Sequence, residues 1–201
     1  NPDIHASMSL CLGPCEVSVS EMVSAYTAFA NHGIRTAPMF VSRIEDNEGN
    51  TIATFQPRMN EVIGAENAMK MLTMLMGVVD GGTAGRLRYR YNLEGQIGAK
   101  TGTTNNNSDG WFIGFTPQLV SGCWVGGEER DIHFDSMSMG QGATMALPIW
   151  AIFMKKVYAD PTLGISPTVK FDLPDGYDPC HKPMSEQDDF EQVDGIDEVF
   201  E

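Results

Sequence analysis

The sequence predicts an α+β protein with an antiparallel sheet packed against helices, on three observations. A capped helical run fills 18–30, strand-like runs crowd into 96–126, and a strongly apolar helical run fills 143–158. The first run opens with Ser18 and Glu21 at capping-box spacing and places Met22, Ala25, Tyr26 and Phe29 on one face, before Gly33 stops it. Residues 38–44 and 51–55 read as two strands joined by a glycine-containing turn, a β-hairpin. From Ala65 to Val79 the apolar residues leave almost no polar stripe, which predicts a helix buried on most sides, its methionines filling gaps in a core. Three strands then follow, roughly 96–103, 110–116 and 119–126, and the short Thr116-Pro117-Gln118 step makes the last two antiparallel neighbours. In the final helix Leu147, Trp150, Ala151, Met154 and Val157 recur at helical spacing, and Pro148 is tolerable near its start.

The 201 residues suffice for one domain with a sizeable core, and 42% hydrophobic with 20% charged residues fits a globular chain. No apolar run reaches the ~18 residues of a membrane span, and Asn1-Pro2-Asp3 begins no visible targeting segment. The expected division is a domain over 1–169 and an acidic, flexible tail over 170–201. The tail holds 11 acids against Lys170 and Lys182, so it carries −9 of the net −14. This balance argues against a nucleic-acid partner, which would need clustered lysine and arginine. Arg86, Arg88 and Arg90, interleaved with Tyr89 and Tyr91, form the one basic cluster and read as the solvated face of an extended segment.

Cys11, Cys15, Cys123 and Cys180 match no zinc or redox spacing. Cys11 and Cys15 sit close enough for a tight disulfide in an oxidising compartment, or stand as unpaired small hydrophobes, and Cys123 reads as core. His5, His32, His133 and His181 show no ligand or triad spacing, so neither a metal nor another cofactor is expected.

Chemistry concentrates in Gly98-Ala-Lys-Thr-Gly-Thr-Thr104. Two glycines and a lysine are unusual inside a strand and mean that something approaches its backbone closely. Alternation puts Gly98, Lys100 and Gly102 on one face and Thr101 and Thr103 on the other. An edge here offers N–H and C=O groups to an extended peptide, a lysine charge beside them, and threonine hydroxyls for a carboxylate. The pattern describes a site for an anionic, peptide-like ligand. A glycine-rich strand with an exposed lysine is also a common device against edge aggregation. A phosphate loop is excluded, because Gly-x-x-x-x-Gly-Lys-Ser/Thr is absent.

The longer stretch from Gly98 to Pro117, with Trp124-Val-Gly126, resembles the third-motif region of class A (bifunctional) penicillin-binding proteins. Leu12-Gly13-Pro14, Glu16-Val17, Ala25 to Gly33 and Gly77-Val-Val-Asp-Gly-Gly-Thr83 are similar to that family in matching order, so the resemblance spans roughly 10–158. It implies the C-terminal part of the transpeptidase domain, a partial penicillin-binding-protein/β-lactamase-like fold. It also implies a peptidoglycan D,D-transpeptidase, a serine enzyme that cross-links stem peptides and is the target of β-lactams. That family uses Ser-x-x-Lys, Ser-x-Asn and Lys-Thr-Gly. No serine here has a lysine three residues later or an asparagine two later, so both missing motifs are expected before Asn1 and the chain alone is expected to be inactive.

By the same resemblance Lys100 is catalytic, supplying positive charge and aiding proton transfer. Thr101, Gly102, Thr103 and Thr104 bind substrate, and the Thr103 backbone N–H forms half of the oxyanion hole. Asp109 and Trp111 match the family but read as structural, and Asn105 to Asn107 either line the rim or form the turn. Implied partners are a stem peptide or β-lactam and the remainder of the domain. Self-association is expected through apolar surface left open around Gly98 and along Met69 to Val79. The implied location is the periplasmic or extracytoplasmic face of a bacterial inner membrane. Two other readings stand beside this one, a non-catalytic peptide-binding module and a serine β-lactamase-like hydrolase.

Overall fold

A computed structural model describes residues 4–13 and 15–179. Its centre is a three-stranded antiparallel sheet, ordered β5 (Gly98–Thr103), β6 (Asp109–Phe115), β7 (Val120–Gly126), with helices on both faces. All three strands fall within about two residues of their expected positions, and the pairing is antiparallel as the short connection requires.

One face carries α5 (Gly142–Ala159). Trp150 drives this contact: its ring centre lies 5.3 Å from that of Phe112, and its indole N–H donates to Ser121 Oγ at 2.7 Å. A Cβ on Gly114 would stand 2.5 Å from the indole, so the strand is glycine where the ring lies on it. Val79, Leu87, Ile97, Ala99, Leu147 and Met154 complete this core. The opposite face carries α1 (Val19–Ala30), whose Val23 closes on Gly122, and the rings of Tyr26, Phe115 and Phe171 meet edge to face. Leu72 and Leu75 of α2 (Ala65–Asp80) join this second core.

The capping box of α1 forms, with Glu21 N donating to Ser18 Oγ at 3.2 Å and Ser18 N to Glu21 Oε2 at 2.8 Å. Its buried stripe differs from the expected face. Ala25 is exposed, whereas Ser24 and Ala28 are buried, and Ser24 is accommodated because its hydroxyl donates to Thr36 O at 2.6 Å. The helix ends through His32 and Gly33 at positive φ; a Cβ on Gly33 would lie 1.9 Å from Ile63 O. The hairpin is present as β2 (Arg43–Glu45) and β3 (Thr51–Thr54). Asp46 closes it by accepting from the backbone N–H groups of Glu48 and Asn50 and from the Asn50 amide, and the Asn50 bonds hold its carboxyl below the usual range. A second pairing joins β1 (Ile34–Thr36) to β4 (Met59–Glu61), three residues each and too short for periodicity to show.

Three expectations are corrected. Helix α2 is buried along a single stripe, Ala68, Leu72, Leu75 and Val79, and Met74 is 57% exposed, because the described chain offers it partners on one side only. Gly98 is not open surface: the Phe115 ring lies over it, 2.4 Å from where a Cβ would be. The basic cluster is not extended but forms α3 (Arg86–Tyr89). There Arg86 donates to Ala143 O and Thr144 Oγ1, and Arg88 pairs with Asp80 and caps Leu93 O. Helix α4 (Met137–Gly140) is a single turn that the sequence pattern did not reveal.

Cys11, Cys15 and Cys123 are free thiols, and burial pushes Cys123 upward in pKa. Within the segment expected as tail, Phe171 is buried against Phe115 and its N–H donates to Gln96 Oε1 at 2.7 Å. Residues 180–201, with Cys180 and His181, lie outside the described residues. Among the described residues no helix is long and apolar enough to cross a membrane.

Replacing Trp150 by Ala removes the largest side chain of the core and its hydrogen bond to Ser121. The expected loss is about 3–5 kcal/mol by urea denaturation; a loss below about 1 kcal/mol would show that the two faces are held by other contacts.

Candidate functional site

Strand β5 is an edge strand, paired with β6 on one side and flanked by α2. Thr104 N donates inward to Asp109 O at 3.2 Å. Successive N–H groups along a strand point to opposite sides, so the N–H and C=O of Thr103 and Thr101 face away from β6. Lys100 confirms the geometry: its ammonium donates to Thr101 O at 2.6 Å, which stations an exposed positive charge at the open edge.

The two faces of β5 separate as expected. Lys100 and Gly102 stand opposite Ile113 and Trp111 on the α1 side, and Thr101 and Thr103 stand opposite Phe112 and Gly110 on the α5 side. Gly102 fits closely, since a Cβ there would lie 3.0 Å from Trp111 Cβ. Thr103 Oγ1 accepts from Gly142 N at 3.0 Å, at the first residue of α5. Thr101 Oγ1 lies 2.9 Å from Thr83 Oγ1 in the turn after α2.

Thr104 does not join this group. Its hydroxyl lies 2.9 Å from Ser108 Oγ and accepts from Asp109 N at 3.0 Å, so it closes the β5–β6 connection. Asn105 to Asn107 form that connection, with Asn106 and Asn107 at positive φ, a conformation asparagine tolerates well. Asn107 also ties down the following segment, its carbonyl accepting from Phe134 N and its side-chain amide donating to Phe134 O, both at 3.3 Å. Asp109 Oδ1 is buried with no hydrogen-bond donor among the described residues, and Trp111 is partly buried in the sheet. His32 lies 3.7 Å from Asp172, and His133 contacts Phe134 O. Among the described residues no cluster of three or more His, Cys, Asp or Glu is placed to hold a metal.

Sequence reasoning missed Thr83 and Gly142. The first was visible only as the last residue of the family-like Gly77 to Thr83 segment, with no role given to it, and the second as a residue just before the expected helix. Their spacing from β5, 18 and 39 positions in the bonds they make, carries no local signal.

A helix-covered antiparallel sheet, with a lysine and two threonine hydroxyls along a glycine-rich edge strand, defines an α+β domain. The description "Penicillin binding protein transpeptidase domain" matches residues 4–122, and the chain belongs to that family. It is 36% identical over 166 residues to penicillin-binding protein 1A of Aquifex aeolicus, covering 83% of this chain and 21% of that protein. It is 35% identical over 163 residues to penicillin-binding protein 1A of Neisseria lactamica, covering 76% and 19%. The chain therefore spans about a fifth of the curated relatives it matches. Among solved structures, penicillin-binding protein 1A of Haemophilus influenzae superposes with a TM-score of 0.73 at 25% identity, covering 86% of this chain and 30% of that one. PonA1 of Mycobacterium tuberculosis in complex with penicillin V superposes with a TM-score of 0.62 at 25% identity, covering 75% and 40%.

Thr103→Val removes the acceptor that receives the Gly142 N–H. Faster hydrogen exchange in the first turn of α5 and a stability loss of about 1 kcal/mol are expected; unchanged exchange there would mean that the helix start is held without Thr103.

Proposed function

We propose that this chain is the substrate-binding part of a peptidoglycan D,D-transpeptidase. One observation carries the reading: Lys100 and the backbone of Thr101 and Thr103 line the open edge of β5, with the hydroxyls of both threonines on its adjoining face. An extended peptide ending in a carboxylate adds to such an edge as a further strand. Family membership and the relatives named penicillin-binding protein 1A support the assignment.

In the reaction a serine oxygen attacks the carbonyl of the penultimate D-alanine. The C–N bond to the terminal D-alanine breaks, the departing amine takes up a proton, and a serine ester remains. An amine of a second stem peptide then attacks the ester, forming the cross-link and returning the proton to the serine. Lys100 supplies positive charge beside the acyl group and the proton path, and the hydroxyls of Thr101 and Thr103 bind the terminal carboxylate. The Thr103 N–H donates to the oxyanion, the second donor being the N–H of the serine itself. Thr104 falls outside this set because its hydroxyl serves the turn.

No serine of the chain has a lysine three residues later, so the nucleophile belongs to another segment of the protein. That observation favours a second reading for the isolated chain, a peptide or β-lactam binder without chemistry. The remainder of the domain is the inferred partner, and self-association is the alternative for the isolated chain. The work is placed on the extracytoplasmic face of a bacterial membrane, where peptidoglycan lies.

Incubation with a fluorescent penicillin followed by intact-mass measurement is expected to leave the 201-residue chain unlabelled and to add one adduct to the full-length protein. In that protein Lys100→Ala is expected to slow acylation by at least about a hundredfold. An adduct on the 201-residue chain would overturn the assignment of the nucleophile elsewhere.

A further inference from the structure

Behind β5 a third hydroxyl stands against that of Thr101. Thr83 Oγ1 lies 2.9 Å from Thr101 Oγ1 across the gap between the α2–α3 turn and the strand. The turn that presents Thr83 is fixed. Ala84 N donates to Val78 O at 3.0 Å and Gly85 N to Gly82 O at 3.1 Å, and Ala84 is fully buried. At Gly82 a Cβ would lie 2.9 Å from Val78 Cα and O, so the chain passes too close to α2 for any side chain there. Tight backbone on one side and a buried alanine on the other fix the stretch of chain that carries the exposed Thr83 beside Thr101.

The direction of the bond decides what Thr101 can do. A hydroxyl has one proton and two lone pairs. If Thr101 donates to Thr83, its proton is occupied and it faces a carboxylate with lone pairs alone. If Thr83 donates, the Thr101 proton is free. Thr103 shows the second arrangement without ambiguity, because an N–H can only donate: Gly142 N–H occupies an acceptor position of Thr103 Oγ1 and leaves its proton for a ligand. A hydroxyl that accepts a hydrogen bond is also polarised into a better donor.

We propose that Thr83 is a positioning residue that donates its hydroxyl proton to Thr101 Oγ1, so that Thr101 and Thr103 both offer protons to the carboxylate of a ligand docked on β5. Thr83 acts through Thr101 and does not itself touch the ligand. The proposal rests on the reading of β5 as a carboxylate-binding edge.

The test measures acylation of the full-length protein by benzylpenicillin and by its methyl ester, which lacks the carboxylate. Thr83→Val keeps the branched shape and removes the donor, and Thr83→Ala provides a second removal should valine disturb the turn. Either variant is expected to slow acylation by benzylpenicillin about fivefold and to leave the ester rate nearly unchanged. Thr83→Ser is expected to restore the rate, and Thr83→Val added to Thr101→Val to cost nothing further. Equal slowing with acid and ester would overturn the proposal, since Thr83 would then support the fold alone. So would an unchanged acid rate in Thr83→Val while Thr101→Val loses the preference for the acid. If Thr101→Val and Thr103→Val both keep that preference intact, the carboxylate-binding reading of β5 itself falls.

Discussion

The architecture depends on one close contact between backbones, where α5 begins on the β5–β6 pair. A Cβ on Gly142 would lie 2.3 Å from Gly102 O and 2.5 Å from Trp111 O, so no residue with a side chain could start the helix at that distance. The glycine leaves its N–H free of the helix ladder, as every first-turn N–H is, and delivers it to Thr103 Oγ1. Arg86 grips the same turn from α3 through Ala143 O and Thr144 Oγ1. Further along the helix Trp150 seats against Phe112 and Ser121. One helix thus spans the sheet with its first residue on the edge strand and its indole on the central one.

That placement explains why the strands carry so many glycines. Each costs about 0.5–1 kcal/mol in a strand through chain entropy, and each admits a larger partner. Gly98 receives the Phe115 ring, Gly114 the Trp150 indole, and Gly122 the side chains of Ile113 and Val23. The sheet exchanges intrinsic strand propensity for close packing on both faces. The edge strand inherits its rigidity from those faces rather than from its own sequence, which suits a surface that must present hydroxyls and backbone groups in one geometry.

Hydrogen-bond partners then distinguish the groups along this strand. Lys100 and the outward backbone of Thr101 and Thr103 occupy the edge, while the two threonine side chains lie on the adjoining face with donors or hydroxyls behind them. The neighbouring Thr104 has the same chemistry and a different fate, because its hydroxyl is taken up by Ser108 and Asp109 N. In the proposed function, binding the carboxylate and supplying the nucleophile are separate tasks. This chain, which spans about a fifth of its relatives, holds the residues proposed for the first.

The amino-acid sequence alone determined the class of fold, the capping box, the hairpin, the three strands and the Lys100-Thr101-Gly102 edge, together with the family through their flanks. These are local patterns: alternation, helical spacing, a cap three residues from its partner, glycines in a strand. Only the tertiary structure decided that α2 is buried along one stripe, that Phe115 covers Gly98, that Arg86 braces α5, and that Thr83 and Gly142 stand behind Thr101 and Thr103. It also decided that Thr104 belongs to the turn. The physical reason is the same in each case, for a hydroxyl or an arginine has no preferred partner in sequence, and its role is set by whichever donor or carbonyl the packing of distant helices brings within about 3 Å.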